Sequence, residues 1–307
     1  MGGSDMPEVF TRKPETVRES CAHRGLFILF EIVIFAALFY LTYYVVSRFY
    51  YKGILAVYPG IRQNEVGKML AQLLFTVIPI VVFVSWSVLV QKRRLSGIGF
   101  RTKGLKPSRE YGIGLLIGLL LMTIVIFVEA ALGQIRFTGV GKPTDFLLVI
   151  VSFFAYMIQG MSEEVVSRGF FMVSVARRYP VWLAILANSL FFGCMHLLNP
   201  GMTLLSVANT CLVGILFSII FLKRDSVWMV GGFHSAWNFA QSNIFGQSTS
   251  GLYLLPSVFK MTVPSGKNMI SGGDYGVEAS VVTTVLIIAA ILIAIRMKAL
   301  EIKQQAG

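Results

Sequence analysis

The chain has 307 residues, 55% of them hydrophobic and only 14% charged, with a mean hydropathy of +0.72 and a formal charge of +12. Soluble domains carry about 25% charged residues, so this composition excludes an ordinary soluble fold and predicts a polytopic membrane protein. The basic residues flank apolar stretches and do not form one patch interleaved with aromatics, which argues against nucleic acid and for anionic lipid head groups as partner.

A polar tail of residues 1–25 comes first. It is too long and too charged to begin a cleavable signal peptide, so the first apolar stretch is expected to stay as an anchor. Stretches long enough for a bilayer, which needs about 20 residues, follow at 26–47, 70–90, 111–133, 145–172, 181–199, 203–222, 227–245 and 279–297. Strand-period alternation is absent, and no internal repeat or low-complexity tract appears. The expected class is all-α, a polytopic transmembrane helix bundle of about eight spans.

The later spans contain Gly, Asn, Gln, His and charged residues, which lipid tolerates only when they face the bundle interior. Of the 27 Lys and Arg, the larger share falls on the same side as the N-terminus: Arg12 to Arg24, Lys92 to Arg109, Arg177, Arg178, Lys223, Arg224 and Arg296 onwards. The positive-inside rule then predicts both termini in the cytoplasm. Cys21, Cys194 and Cys211 offer neither a disulfide framework nor a CxxC metal pattern.

Within the fourth stretch, GMSEEVVSRGFF places Glu163, Glu164 and Arg168 among apolar neighbours. On a helix, Glu164 and Arg168 are four apart with the acid first, the favourable order for an ion pair. Glu163 lies about 100° away and has Ser167, not a cation, at its own i+4 position, which leaves its carboxylate free for chemistry. The plainer reading is a buried network of both acids and Arg168 that only fixes helix packing.

Of the three histidines, His23 lies in the tail, while His196 and His234 fall inside spans. Asn238 follows His234 by four residues and shares its helix face. The turn ARRYPV, broken by Pro180, joins two antiparallel helices. Arg178 to Glu163 and Val181 to His196 are both separations of 15 residues, so the two side chains lie at similar depth. That depth is roughly 22 Å along each helix from the turn. His234 is only nine residues beyond Asp225, so the third element joins them only if its loop dips inward or its helix is staggered.

The motifs Glu163-Glu164-x-x-x-Arg168, Phe192-x-x-x-His196 and His234-x-x-x-Asn238, in that order on successive polar spans, resemble the CPBP family. These are the CAAX proteases and bacteriocin-processing intramembrane proteases, which include the Rce1-like prenyl-protein endopeptidases. The motifs cover roughly residues 160–240, about a quarter of the chain. The resemblance implies an intramembrane endopeptidase in which Glu163 and His196 hold and activate a water. It also implies that His234 and Asn238 donate to the oxyanion, that Glu164 and Arg168 orient the pair, and that Phe192 packs beside His196.

On that reading the chain divides into a cytoplasmic tail at 1–25, N-terminal transmembrane helices at 26–140, a catalytic helical core at 141–245, and an outer loop with a last helix at 246–307. No cofactor is required. The expected substrate is a membrane-associated or lipidated peptide or protein, a prenylated CAAX-type protein or a peptide precursor. The long outer loop and the lack of an organellar targeting signal point to a multi-pass protein of a bacterial plasma membrane. Two alternatives stay open. Glu163, His196 and His234 form a carboxylate and bis-imidazole set suited to catalytic zinc, although the HExxH spacing is absent. A non-enzymatic scaffold or transporter would also bury such groups, although no inverted repeat is visible.

Overall fold

The computed structural model describes residues 21–48, 64–101, 105–252, 256–264 and 268–297. The tail before residue 21, the side chains of Cys21, His23 and Arg24, and the basic residues Lys52, Arg62, Lys103, Lys267, Lys298 and Lys303 lie outside these. Helix α1 (Cys21–Arg48) is followed by α2 (Glu65–Phe75), α3 (Val77–Ser85) and a π-helical turn, Trp86–Val90. A 3-10 turn at Leu95–Ile98 precedes α4 (Pro107–Ala131). Helix α5 (Phe146–Glu164) continues through a π-helical stretch, Val165–Met172, into the short α6 (Val173–Ala176). Beyond Pro180 come α7 (Val181–Met195), α8 (Leu204–Arg224) and α9 (Val227–Phe239), the last extended by a π segment, Ala240–Ile244. The loop that follows holds α10 (Asn268–Ser271) and ends at α11 (Val281–Arg296).

The protein is mostly helical, and each of the eight apolar stretches is helical over most of its length. Among the described residues, four segments are long and apolar enough to cross a membrane: Glu65–Val90, Pro107–Ala131, Pro143–Ala176 and Leu204–Arg224. Ile32–Arg48, Val181–Met195 and Val281–Arg296 are apolar but shorter. The expectation of eight spans is therefore met for four, because α7 and α11 are short of the roughly 20 residues a bilayer needs, and α9 is too polar.

A small antiparallel sheet corrects the purely helical expectation. Strand β1 (Arg136–Val140) pairs with β2 (Phe259–Thr262), with Arg136 opposite Thr262 and an irregularity between Phe137 and Gly139. Strands of five and four residues are too short for alternation to stand out in sequence.

Helix α9 is the centre of the bundle. Every residue from Met229 to Asn238 is buried, which suits a helix carrying His234, Asn238, Gln241 and Asn243, groups that lipid would reject. Close approach makes this enclosure possible: a Cβ on Gly118 of α4 would lie 2.2 Å from the Phe233 carbonyl oxygen, and one on Gly160 of α5 would lie 2.5 Å from the Ser235 nitrogen. Small residues let backbones meet where lipid gives no hydrophobic drive for helix association. The Tyr111 hydroxyl, 2.8 Å from Ser235 Oγ and donating to the Met157 carbonyl at 3.2 Å, ties α4, α5 and α9 together.

The inward dip that the third element required is present. Asp225, left-handed at φ 53°, reverses the chain after α8, and the Val227 amide donates to the Gly99 carbonyl at 3.0 Å. Residues 95–99 lie at the end of the bundle where α8 turns into α9, so α9 starts level with Gly169: a Cβ there would meet the Ile98 oxygen at 2.8 Å and Val227 Cγ1 at 3.7 Å. Seven residues up from Val227 on α9, and five up from Gly169 on its helix, bring His234 and Glu164 to the same level. Ion pairs between Arg224 and Glu110, at 2.8 Å, and between Arg101 and Asp225 hold this end of the bundle.

Candidate active site

Glu163 and Glu164 close α5 just where the helix widens into its π-helical stretch. Such stretches recur at functional sites because they alter which way side chains point. Here Ser167 Oγ donates back to the Glu163 carbonyl. The two carboxylates face different surroundings: the Glu164 side chain has no exposure, whereas that of Glu163 is 27% exposed. Glu164 Oε1 accepts from Arg168 Nη1 at 2.8 Å and from His234 Nδ1 at 2.9 Å. The expected i,i+4 ion pair is thus formed, and it also reaches across to α9.

Arg168, wholly buried, donates further to Ser167 Oγ at 2.9 Å and to the Gly214 carbonyl at 3.2 Å. Its guanidinium carbon lies 4.5 Å from the centre of the Phe192 ring and 5.4 Å from that of Phe217. Two aromatic faces and a carboxylate together compensate a cation that lipid and protein interior would otherwise exclude. Phe192 also stands 5.0 Å from the His196 ring and 5.9 Å from the His234 ring, centre to centre, so it contacts both histidines and not His196 alone.

Both imidazoles are held in the same sense. His196, immediately after α7, directs Nδ1 at the Phe192 carbonyl, 2.8 Å away. His234 directs Nδ1 at Glu164. A carbonyl and a carboxylate only accept, so each Nδ1 carries the proton and each Nε2 is left for other work. His234 Nε2 lies 3.6 Å from Glu163 Oε2.

Gln159 is the residue that sequence reading missed. Its Nε2 donates to Glu163 Oε1, and its Oε1 accepts from Asn238 Nδ2 at 2.9 Å. One amide therefore sets both the carboxylate and the asparagine. Its position four residues before Glu163, on the same helix face, was the available signal. Phe217 had no such signal.

Glu163, His196, His234 and Asn238 line one cavity of about 400 Å³, with walls from α1, α2, α5 and the loop after Phe245. A much smaller pocket of about 30 Å³ adjoins it and shares His196, His234 and Asn238. The depth argument from the Pro180 turn thus brought Glu163 and His196 to the same chamber. Among the described residues no group of three His, Cys, Asp or Glu side chains is arranged to hold a metal ion. Cys194 and Cys211 are free thiols.

Among curated proteins none matches the chain. Residues 145–240 match the family model of Rce1-like type II CAAX prenyl endopeptidases, a stretch of about a third of the chain that runs from the start of α5 into the π extension of α9. The match spans every element that contributes Glu163, Arg168, His196, His234 or Asn238, and over that segment the chain is similar to the Rce1-like CAAX prenyl endopeptidases.

Proposed function

We propose that the protein is an intramembrane endopeptidase that hydrolyses a peptide bond of a membrane-associated substrate, with Glu163 as the general base. The observation that carries this reading is the contrast between the two adjacent glutamates: one sealed in an ion pair, the other partly open to a cavity that His196 and His234 also line, with His234 Nε2 3.6 Å from its Oε2. A water between Glu163 and His196 Nε2 gives up its proton to the carboxylate as its oxygen attacks the carbonyl carbon. His234 has carboxylates toward both nitrogens, so it can carry two protons and present Nε2–H as a donor. The second Nδ2 hydrogen of Asn238, not used by Gln159, is the other donor for the developing oxyanion. Such donors are worth about 3–4 kcal/mol each in a dry site. The proton on Glu163 then passes to the leaving nitrogen as the tetrahedral intermediate collapses.

The substrate class follows from the family and the setting: a lipidated or membrane-embedded peptide end, prenylated CAAX-type or a peptide precursor. The clustering of basic residues at the end of the bundle that holds Arg93, Arg101, Arg177 and Lys223 supports a cytoplasmic location for that end and for both termini, and the long outer loop with no organellar targeting signal favours a bacterial plasma membrane. Reporter fusions at the C-terminus and within residues 246–252 test this: the expected result is activity of a cytoplasmic reporter at the terminus only, and the reverse pattern overturns it.

A second reading has one observation in its favour. Imidazoles that donate Nδ1–H to a carboxylate and a carbonyl, as both do here, are arranged as zinc ligands commonly are. Mass spectrometry of new peptide termini in membranes, comparing the parent with Glu163→Gln and His196→Ala, tests the protease. Termini produced by the parent alone support it, and termini unaffected by either substitution overturn it. Elemental analysis of the same preparations separates the mechanisms: the water mechanism predicts activity in metal-depleted protein, whereas stoichiometric zinc lost with His234→Ala overturns it.

A further inference from the structure

Beyond the family-matched segment, Glu278 sits in a 3-10 turn, Val277–Ala279, just before α11. Its Oε1 accepts from Trp237 Nε1 at 3.0 Å, and its Oε2 accepts from the Ser250 amide at 2.6 Å and the Ser250 hydroxyl at 2.9 Å. Three donors from two separate segments converge on one carboxylate. The turn bearing it is itself fixed by α8, since Asn209 Nδ2 donates to the Glu278 carbonyl at 2.7 Å and to the Ser280 carbonyl at 2.9 Å.

The held residue is unusual. Ser250 has φ +49°, a left-handed conformation that a non-glycine residue keeps only where its surroundings hold it there. The next residue, Gly251, lies so close to Pro200 that a Cβ would be 2.0 Å from its carbonyl oxygen. Ser250 is also part of the wall of both cavities. Its own carbonyl accepts from Asn199 Nδ2 at 2.9 Å, and the Asn199 amide donates to the His196 carbonyl at 3.1 Å. At its other end the carboxylate grips Trp237, the neighbour of Asn238 in sequence.

We infer that Glu278 is a positioning residue. It clamps the loop at Ser250 to α9 and, through Asn199, sets the turn that presents His196 relative to Asn238. A role is thereby assigned to the loop after α9, which lies beyond the motifs. The catalytic consequence rests on the protease reading above, but the geometric one does not, and the test keeps the two apart.

The protein has three histidines, so selective ¹³C/¹⁵N-histidine labelling in detergent gives a spectrum assignable with single His→Gln variants. Glu278→Ala should shift or broaden the His196 ring signals while leaving those of His234, anchored on Glu164, in place. Glu278→Gln, whose amide oxygen still accepts from Ser250, should restore most of the His196 signal. Asn199→Ala should perturb the same signal with the carboxylate and its three donors intact, and Ser250→Ala by removing only the hydroxyl donor; they decide the matter if Glu278→Ala fails to fold. In parallel, kcat for a fluorogenic farnesylated CAAX-type peptide should fall by on the order of 10² in Glu278→Ala, with KM nearly unchanged, as misplacement of a reacting group predicts. The double variant with Asn199→Ala should be no worse than the weaker single one. A His196 spectrum unmoved in folded Glu278→Ala, or in both Asn199→Ala and Ser250→Ala, overturns the proposal. If the parent leaves the peptide uncut, the fault lies with the protease reading, and the histidine spectra still decide the role of Glu278.

Discussion

Glu164 separates architecture from chemistry at the scale of single residues. Its Oε1 holds both Arg168 and His234, so Glu164→Gln leaves a fully buried guanidinium facing a neutral amide. Breaking one partner out of a buried pair typically costs about 3–5 kcal/mol. We expect this variant to lose melting temperature and turnover together, whereas Glu163→Gln loses turnover alone. Thermal unfolding in detergent checks it, and equal melting of the parent and Glu164→Gln contradicts the pair. The ion pair was legible in sequence because i,i+4 geometry is local. The partner of Gln159 was not, since Asn238 lies 79 residues away and only the folded bundle joins them. Phe217 and Glu278 were hidden for the same reason.

At the scale of elements, helix placement was legible wherever apolar runs were long, and register was not. Counting from Asp225 left His234 too shallow, because a count assumes that all helices start at one plane. The 3-10 turn at Leu95–Ile98, with Gly99 after it, and the left-handed Asp225 let α9 start further in, and neither stands out as a long apolar run. The loops at the opposite end also pack tightly. Burial pushes the Tyr275 hydroxyl up to about 12, and the Glu278 carboxylate adds to the rise. A phenol whose folded pKa lies above its ordinary value of about 10 contributes stability that is complete below that pH and is lost as pH rises through the folded value. Melting temperature should therefore fall between about pH 10 and about pH 12, and Tyr275→Phe should flatten that part of the profile. The same slope in both proteins would show that this loop end does not hold Tyr275 as described.

For the whole molecule, composition alone placed the chain in a membrane, and three short motifs pointed to the segment that the family model matches. What composition could not give is the enclosure. A bundle in lipid gathers its polar side chains inward, and here the most polar helix became the innermost, with α4 and α5 pressed against it at glycines. The resulting cavity gathers a half-buried glutamate, two imidazoles and an amide along one wall, and peptide hydrolysis at Glu163 is the account's central claim. The most direct measurement is turnover of a farnesylated CAAX-type peptide by purified protein in liposomes, parent against Glu163→Gln, at matched folding. Cleavage by the parent that disappears in Glu163→Gln, with melting temperatures alike, is the result expected; equal cleavage by the two proteins would contradict it.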